Sequence, residues 1–84
     1  MNEQQINDQL KAILEPYVQN LEAFTNMHHD TDFINDLGIN SANLVDVVLD
    51  VEDAFDIIID NDSMEKMLDV RASIAIIQQK LAAK

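Results

Sequence analysis

The chain has 84 residues, 48% of them apolar, with 16 acidic side chains against 5 basic, a net charge of −11 and no cysteine. That length makes one domain, residues 1–84, and lack of cysteine excludes disulfides and thiolate metal sites. The charge excludes nucleic acid as a ligand, and no apolar run approaches the roughly 18 residues of a membrane span. The opening MNEQQINDQLK is polar where a secretory signal is apolar, so a cytoplasmic location without membrane insertion is expected.

One glycine and one proline leave little room for hairpin turns. The fold class expected is all-α, a small four-helix bundle with a long loop between helices one and two and a short third helix. In the first helix Ile6, Leu10, Ile13, Leu14, Val18 and Leu21 recur at i, i+4 and i+7. Pro16 should kink or end it, because proline lacks a donor and crowds the carbonyl of Ala12. The loop lies within NLEAFTNMHHDTDFINDLGI and runs about fifteen residues, against the usual 2–8. Phe24, Phe33, Ile34 and Leu37 are expected to pin it to the bundle.

The second helix covers roughly 41–55. The third, about 62–68, has Asp62 or Asn61 as its N-cap and Met64, Met67 and Leu68 facing inward. The fourth, about 71–82, reads RASIAIIQQKLA, with Ile74, Ile77 and Leu81 on one stripe.

The second helix carries the information about function. At 100° per residue Leu44, Val47, Val48, Val51 and Phe55 form the core arc. Asp46, Asp50 and Asp53 cluster opposite, with Glu52 and Asp56 on one flank. Val45 and Leu49 share that flank and should sit exposed among acids. A solvated helix face usually mixes signs, since i, i+4 Glu–Lys pairs stabilise it by a few tenths of a kcal/mol. Here Asp46 stacks on Asp50 and Glu52 on Asp56, like on like, and no lysine or arginine occurs between Lys11 and Lys66. A face that accepts this repulsion is better read as a docking surface for a basic partner, reached by fast, salt-sensitive association.

Asn40 is a favourable N-cap and places Ser41 in the first turn. There unpaired N–H groups and the helix dipole favour an anion, so a phosphodiester on the Ser41 oxygen would sit well. Taken alone, Ser41 is equally a capping residue.

The stretch Asp36-Leu37-Gly38-Ile39-Asn40-Ser41-Ala42, followed by LVDVVLDVEDAFDI, resembles the attachment motif of the acyl carrier protein family, approximately D-L-G-x-D-S-L ahead of an acidic helix ending in an aromatic. The resemblance covers the whole chain, including the long first loop with a phenylalanine shortly before the motif. It implies a bundle of the acyl-carrier type and a protein that is not an enzyme. It implies that Ser41 carries a covalent 4′-phosphopantetheine arm, derived from coenzyme A, whose thiol bears acyl groups as thioesters. Asp46, Glu52 and Asp53 match acidic positions that dock basic patches, with Val45 and Leu49 as the apolar contacts between them. The partners implied are a phosphopantetheinyl transferase, then acyl-transfer and chain-elongating enzymes of fatty-acid or polyketide type; the carrier is expected to be a monomer. Two residues depart from the motif. Asn40 keeps the cap but lacks the carboxylate used around the transferase's magnesium, and Ala42 lacks an apolar contact beside the arm. Both imply a specialised carrier with its own modifying enzyme or partners.

Other readings compete. A peptidyl or aminoacyl carrier shares the attachment chemistry, although its docking helix is generally less acidic. An unmodified acidic adaptor needs the charge but not Ser41. Calcium loops starting at Asp30 or Asp60 fail, because position six is Asn35 or Glu65 where glycine is required and position twelve is Ser41 or Arg71 where glutamate is. His28 and His29 in the loop have no evident orienting partner, and two adjacent histidines fall short of a metal's three or four ligands.

Overall fold

Asn2 opens the first helix through a reciprocal cap. Its Oδ1 accepts from the Gln5 N–H at 2.8 Å, and Gln5 Oε1 accepts from the Asn2 N–H at 3.0 Å. The computed structural model describes residues 2–84, and all of its regular elements are helices: α1 (Glu3–Leu14), α2 (Leu21–Thr25), α3 (Leu44–Phe55), α4 (Asn61–Lys66) and α5 (Val70–Ala82). The expected all-α bundle is therefore what this sequence forms. α1 packs against both α3 and α5, and α4 against α5. Ile6, Leu10 and Leu14 of α1 meet Val47, Val51 and Phe55 of α3 in one apolar core. Each such side chain contributes about 1.5–3 kcal/mol by leaving water.

Pro16 ends α1 rather than kinking it. The chain tightens into a 3₁₀ turn over Glu15–Tyr17 and leaves it extended at Val18. Val18 and Leu21 therefore do not continue the α1 stripe, and Leu21 is 67% exposed. The long connection also contains a helix that periodicity could not show. α2 is five residues long, and its one local signal is Asn20, whose side chain accepts from the Ala23 N–H at 3.1 Å.

The rest of that connection is tied down along its length. Phe33, Leu37 and Ile39 are fully buried, whereas Phe24 is half-buried and Ile34, expected to help pin the loop, is exposed. The N–H of Phe33 donates to Leu68 O at 2.9 Å, and Val70 and Arg71 donate to Thr31 O and His29 O at 3.2 and 2.9 Å. Asp32 and Asp69 thereby form an isolated antiparallel bridge. This pairing is why Leu68 faces outward: the chain has left α4 by Lys66 to run beside residue 33.

α4 begins one residue earlier than expected. Asp60, not Asn61 or Asp62, is the cap, accepting from the Ser63 N–H at 2.7 Å. That bond and Lys80, 3.3 Å away, hold the Asp60 carboxyl down at about 2. Met67 is buried although it lies just beyond the helix. α5 is capped by Asp69 through Ala72 at 2.7 Å and buries Ile74 and Ile77, with Leu81 half-buried.

Gly38 turns the connection toward α3 with φ +73°, a conformation costing an L side chain about 1–2 kcal/mol. A Cβ there would also meet Gln19 Cβ at 3.3 Å. Gly38→Ala is expected to lower stability by about that amount, read as an earlier urea midpoint at unchanged m-value; an unmoved midpoint would contradict the strain.

Candidate functional site

The chain arrives at Ser41 from a fully buried anchor. Leu37 and Ile39 are in the core, and Gly38 makes the turn between them. Asn40 is extended at φ −64°, ψ 134°, and its Oδ1 accepts from the Ala42 N–H at 2.9 Å. Ser41 and Ala42 then sit on an exposed 3₁₀ turn, Ser41–Asn43, which feeds directly into α3. Ser41 is thus one turn ahead of the α-helix rather than inside its first turn. None of the hydrogen bonds among the described residues uses its hydroxyl.

The local donors are already committed. Ala42 N–H serves the Asn40 side chain, Asn43 N–H donates to Asn40 O at 2.8 Å, and Leu44 N–H donates to Ser41 O. The expected set of unpaired N–H groups beside Ser41 is therefore not open at residues 42 to 44. What still favours an anion here is the aligned dipole of the twelve-residue α3.

α3 divides as its periodicity predicts. Val47, Val48, Val51 and Phe55 are buried and Leu44 packs half-buried against them. Val45 and Leu49 are 49% and 53% exposed, two apolar side chains among carboxylates. The acids are less alike than the sequence suggests. Asp46 and Asp53 are exposed, and among the described residues neither forms an ion pair. Asp50 accepts a 2.9 Å hydrogen bond from the Tyr17 hydroxyl. Glu52 is half-buried, and its Oε2 accepts from the Ile59 N–H at 2.7 Å, pinning the segment that follows α3. Asp56 ends the helix in the left-handed region at φ 54° and lies 3.4 Å from Lys84. Three of the five carboxylates thus have partners within the chain, and reversing Glu52 would disturb the fold as well as the surface.

Tyr17 belongs to this face, though no spacing rule pointed to it. The Pro16 turn carries it across to α3, 33 residues away in sequence. Donation to Asp50 stabilises the neutral phenol, and the Asp50 and Asp46 charges oppose phenolate, so its pKa is raised.

The histidines lie elsewhere. His29 Nε2 is 2.6 Å from Glu3 Oε1 of α1, a partner the sequence did not reveal. His28 Nδ1 accepts from the Asp30 N–H at 3.1 Å. Among the described residues neither histidine contacts Ser41, and no side chain hydrogen-bonds its hydroxyl. Among the described residues no three or more His, Asp or Glu side chains converge as metal ligands. No helix there is long and apolar enough to cross a membrane.

Tyr17 is the only tyrosine and the chain has no tryptophan, so its ionisation is read directly in the ultraviolet. Because the raised pKa comes first from the Asp50 bond, the tyrosinate band should appear above the ordinary value near 10 and fall back toward it in Asp50→Asn. Identical titrations of both proteins would show that the bond is absent in solution.

No protein-family profile matches the chain. Individual proteins do. It is 32% identical over 83 residues to an acyl carrier protein of Guillardia theta, covering 99% of this chain and 100% of that one. It is 33% identical over 79 residues to an acyl carrier protein of an Exiguobacterium species, covering 94% and 96%. An acyl carrier protein of Desulforapulum autotrophicum is 41% identical over 51 residues, 61% of this chain and 66% of the relative.

Proposed function

The chain belongs to the acyl carrier protein family, and on that premise we propose that Ser41 is the attachment point of a 4′-phosphopantetheine arm. It is a carrier and not an enzyme. The observation that carries the attachment reading is the Ser41 hydroxyl itself: exposed, without a hydrogen-bond partner among the described residues, and held ahead of an acidic helix by a buried anchor.

The residues present fit the group. Ser41 and Ala42 are both exposed, so a substituent on the oxygen projects into solvent and displaces nothing from the core. The small Ala42 leaves that side of the turn open. Asn40, fixed by its bond to Ala42, keeps the turn closed without placing a carboxylate beside a phosphodiester. Attachment joins the Ser41 oxygen to the phosphorus of the arm and breaks the pyrophosphate of coenzyme A, releasing the nucleotide. A phosphopantetheinyl transferase must supply the general base and magnesium, since this chain offers neither at Ser41. When attached, the arm supplies a terminal thiol that holds an acyl group as a thioester.

Docking falls to α3. Asp46 and Asp53 present unpaired charge, Val45 and Leu49 present apolar surface between the acids, and Asp50, Glu52 and Asp56 contribute field while serving bonds of their own. Asn40 borders this surface at the attachment turn. Acyl-transfer and chain-elongating enzymes with basic patches fit such a face, through contacts weak enough to release the carrier after each transfer.

Incubation with coenzyme A, magnesium and a phosphopantetheinyl transferase should raise the intact mass by that of the arm, and Asp46→Lys should slow that gain about tenfold or more at low salt. Unchanged mass with several unrelated transferases would overturn the attachment and leave an acidic adaptor. Equal rates for the wild type and Asp46→Lys would overturn the docking face alone.

A further inference from the structure

The five carboxylates of the α3 face differ in what holds them. Asp46 and Asp53 are exposed and form no ion pair among the described residues. Asp56 lies 3.4 Å from Lys84, whose charge offsets its own. Glu52 is half-buried and turned back on the Ile59 N–H at 2.7 Å. Asp50 combines what the others have singly. It is exposed, it is fixed by the Tyr17 hydroxyl at 2.9 Å, and it keeps its whole charge because a phenol is neutral.

The phenol is a stiff support. Tyr17 closes the 3₁₀ turn Glu15–Tyr17, in which Pro16 fixes φ, and its ring is half-buried against the core. Only two χ angles place the hydroxyl, few for a side chain of that reach. The phenol remains a donor throughout the neutral range, its pKa raised first by the bond to Asp50. That bond uses Asp50 Oδ2. A carboxylate has about four acceptor sites, so Asp50 can still take a donor from outside the chain. No lysine or arginine pairs with it among the described residues.

We infer that Tyr17 is a positioning residue of the carrier: its hydroxyl presets the Asp50 carboxylate for a cationic side chain of the enzymes that load and unload the arm. This rests on the docking reading of α3 and carries that surface beyond the helix to the Pro16 turn. An aspartate that rotates freely gives up that freedom when a partner grips it, which weakens binding by about two- to tenfold. Asp50 has given it up in the free carrier. A lysine in place of Tyr17 would also fix the carboxylate, but would cancel the charge that the partner reads.

The test measures arm transfer from coenzyme A by a phosphopantetheinyl transferase, at low salt and over a range of carrier concentrations. It compares the wild type, Tyr17→Phe, Asp50→Asn and the double variant; phenylalanine keeps the ring in place and removes only the hydroxyl. Tyr17→Phe should raise the KM for the carrier about two- to tenfold with kcat unchanged, and the difference should fade as salt is added. Asp50→Asn should raise KM at least as far, and the double variant should match it, since no charge is left to position. A wild-type KM in Tyr17→Phe beside a raised one in Asp50→Asn would overturn the inference and leave the docking face standing. A further loss from Tyr17→Phe in the Asp50→Asn background, or a fall in kcat in place of the rise in KM, would overturn it too. A wild-type KM in Asp50→Asn would take Asp50 out of the docking face and the inference with it. No transfer to the wild type by any transferase would remove the attachment reading as well.

Discussion

The carbonyl of Leu37 accepts the N–H groups of both Gln19 and Asn20 at 3.0 Å, while its side chain is fully buried in the core. That one residue joins the two ends of the long connection. Pro16 stops α1 and sends the chain outward; Leu37 brings it back against its own start; Gly38 then turns it toward α3. With Phe33 and Ile39 buried on either side, the three residues after Ile39 have no further burial available and must lie at the surface. Ser41 is exposed because its predecessors are not. The Ser41 turn is a consequence of how the connection is packed: Leu37 and its neighbours anchor it from behind, and the Asn40–Ala42 and Leu44–Ser41 hydrogen bonds close it.

Charge is distributed on the same logic. The bases are confined to α1 and to the chain from Lys66 onward. Three of them neutralise carboxylates away from the exposed centre of α3: Arg71 with Asp30, Lys80 with Asp60 and Lys84 with Asp56. Lys11 lies 5.3 Å from the centre of the Phe24 ring. None of these pairs reaches Asp46 or Asp53, which keep their full field. Like charges on one helix cost a few tenths of a kcal/mol per pair, small beside what buried Val47, Val51 and Phe55 contribute. The core can therefore carry a face that repels itself.

Periodicity made the long helices legible, because α1, α3 and α5 each repeat apolar residues over three turns. It also placed Val45 and Leu49 outside correctly, since both follow from 100° per residue. What it could not give were features set by contacts distant in sequence. α2 is too short to show a period. Leu68 reads as a core leucine until the pairing of Phe33 with residue 68 turns it out. Glu52 reads as one more surface acid, and only the fold brings the Ile59 N–H to it. Tyr17 and Asp50 are joined by the turn at Pro16, which the sequence announces as a break without saying where the chain goes next. The motif around Ser41 was readable as a pattern, but the early commitment of the N–H groups at 42 to 44 follows from a 3₁₀ turn that no spacing distinguishes from the first turn of a helix.

The chain contains three serines, in three environments. Ser63 is half-buried at the start of α4, with its N–H given to Asp60. Ser73 is sealed in the core. Ser41 alone is fully presented, on a turn fixed by residues behind it. If presentation by that anchored connection decides where the arm goes, proteolysis of the modified protein followed by peptide sequencing in the mass spectrometer should find the added group on Ser41 and on neither other serine. An adduct on Ser63 or Ser73, or one divided among the three, would contradict the account.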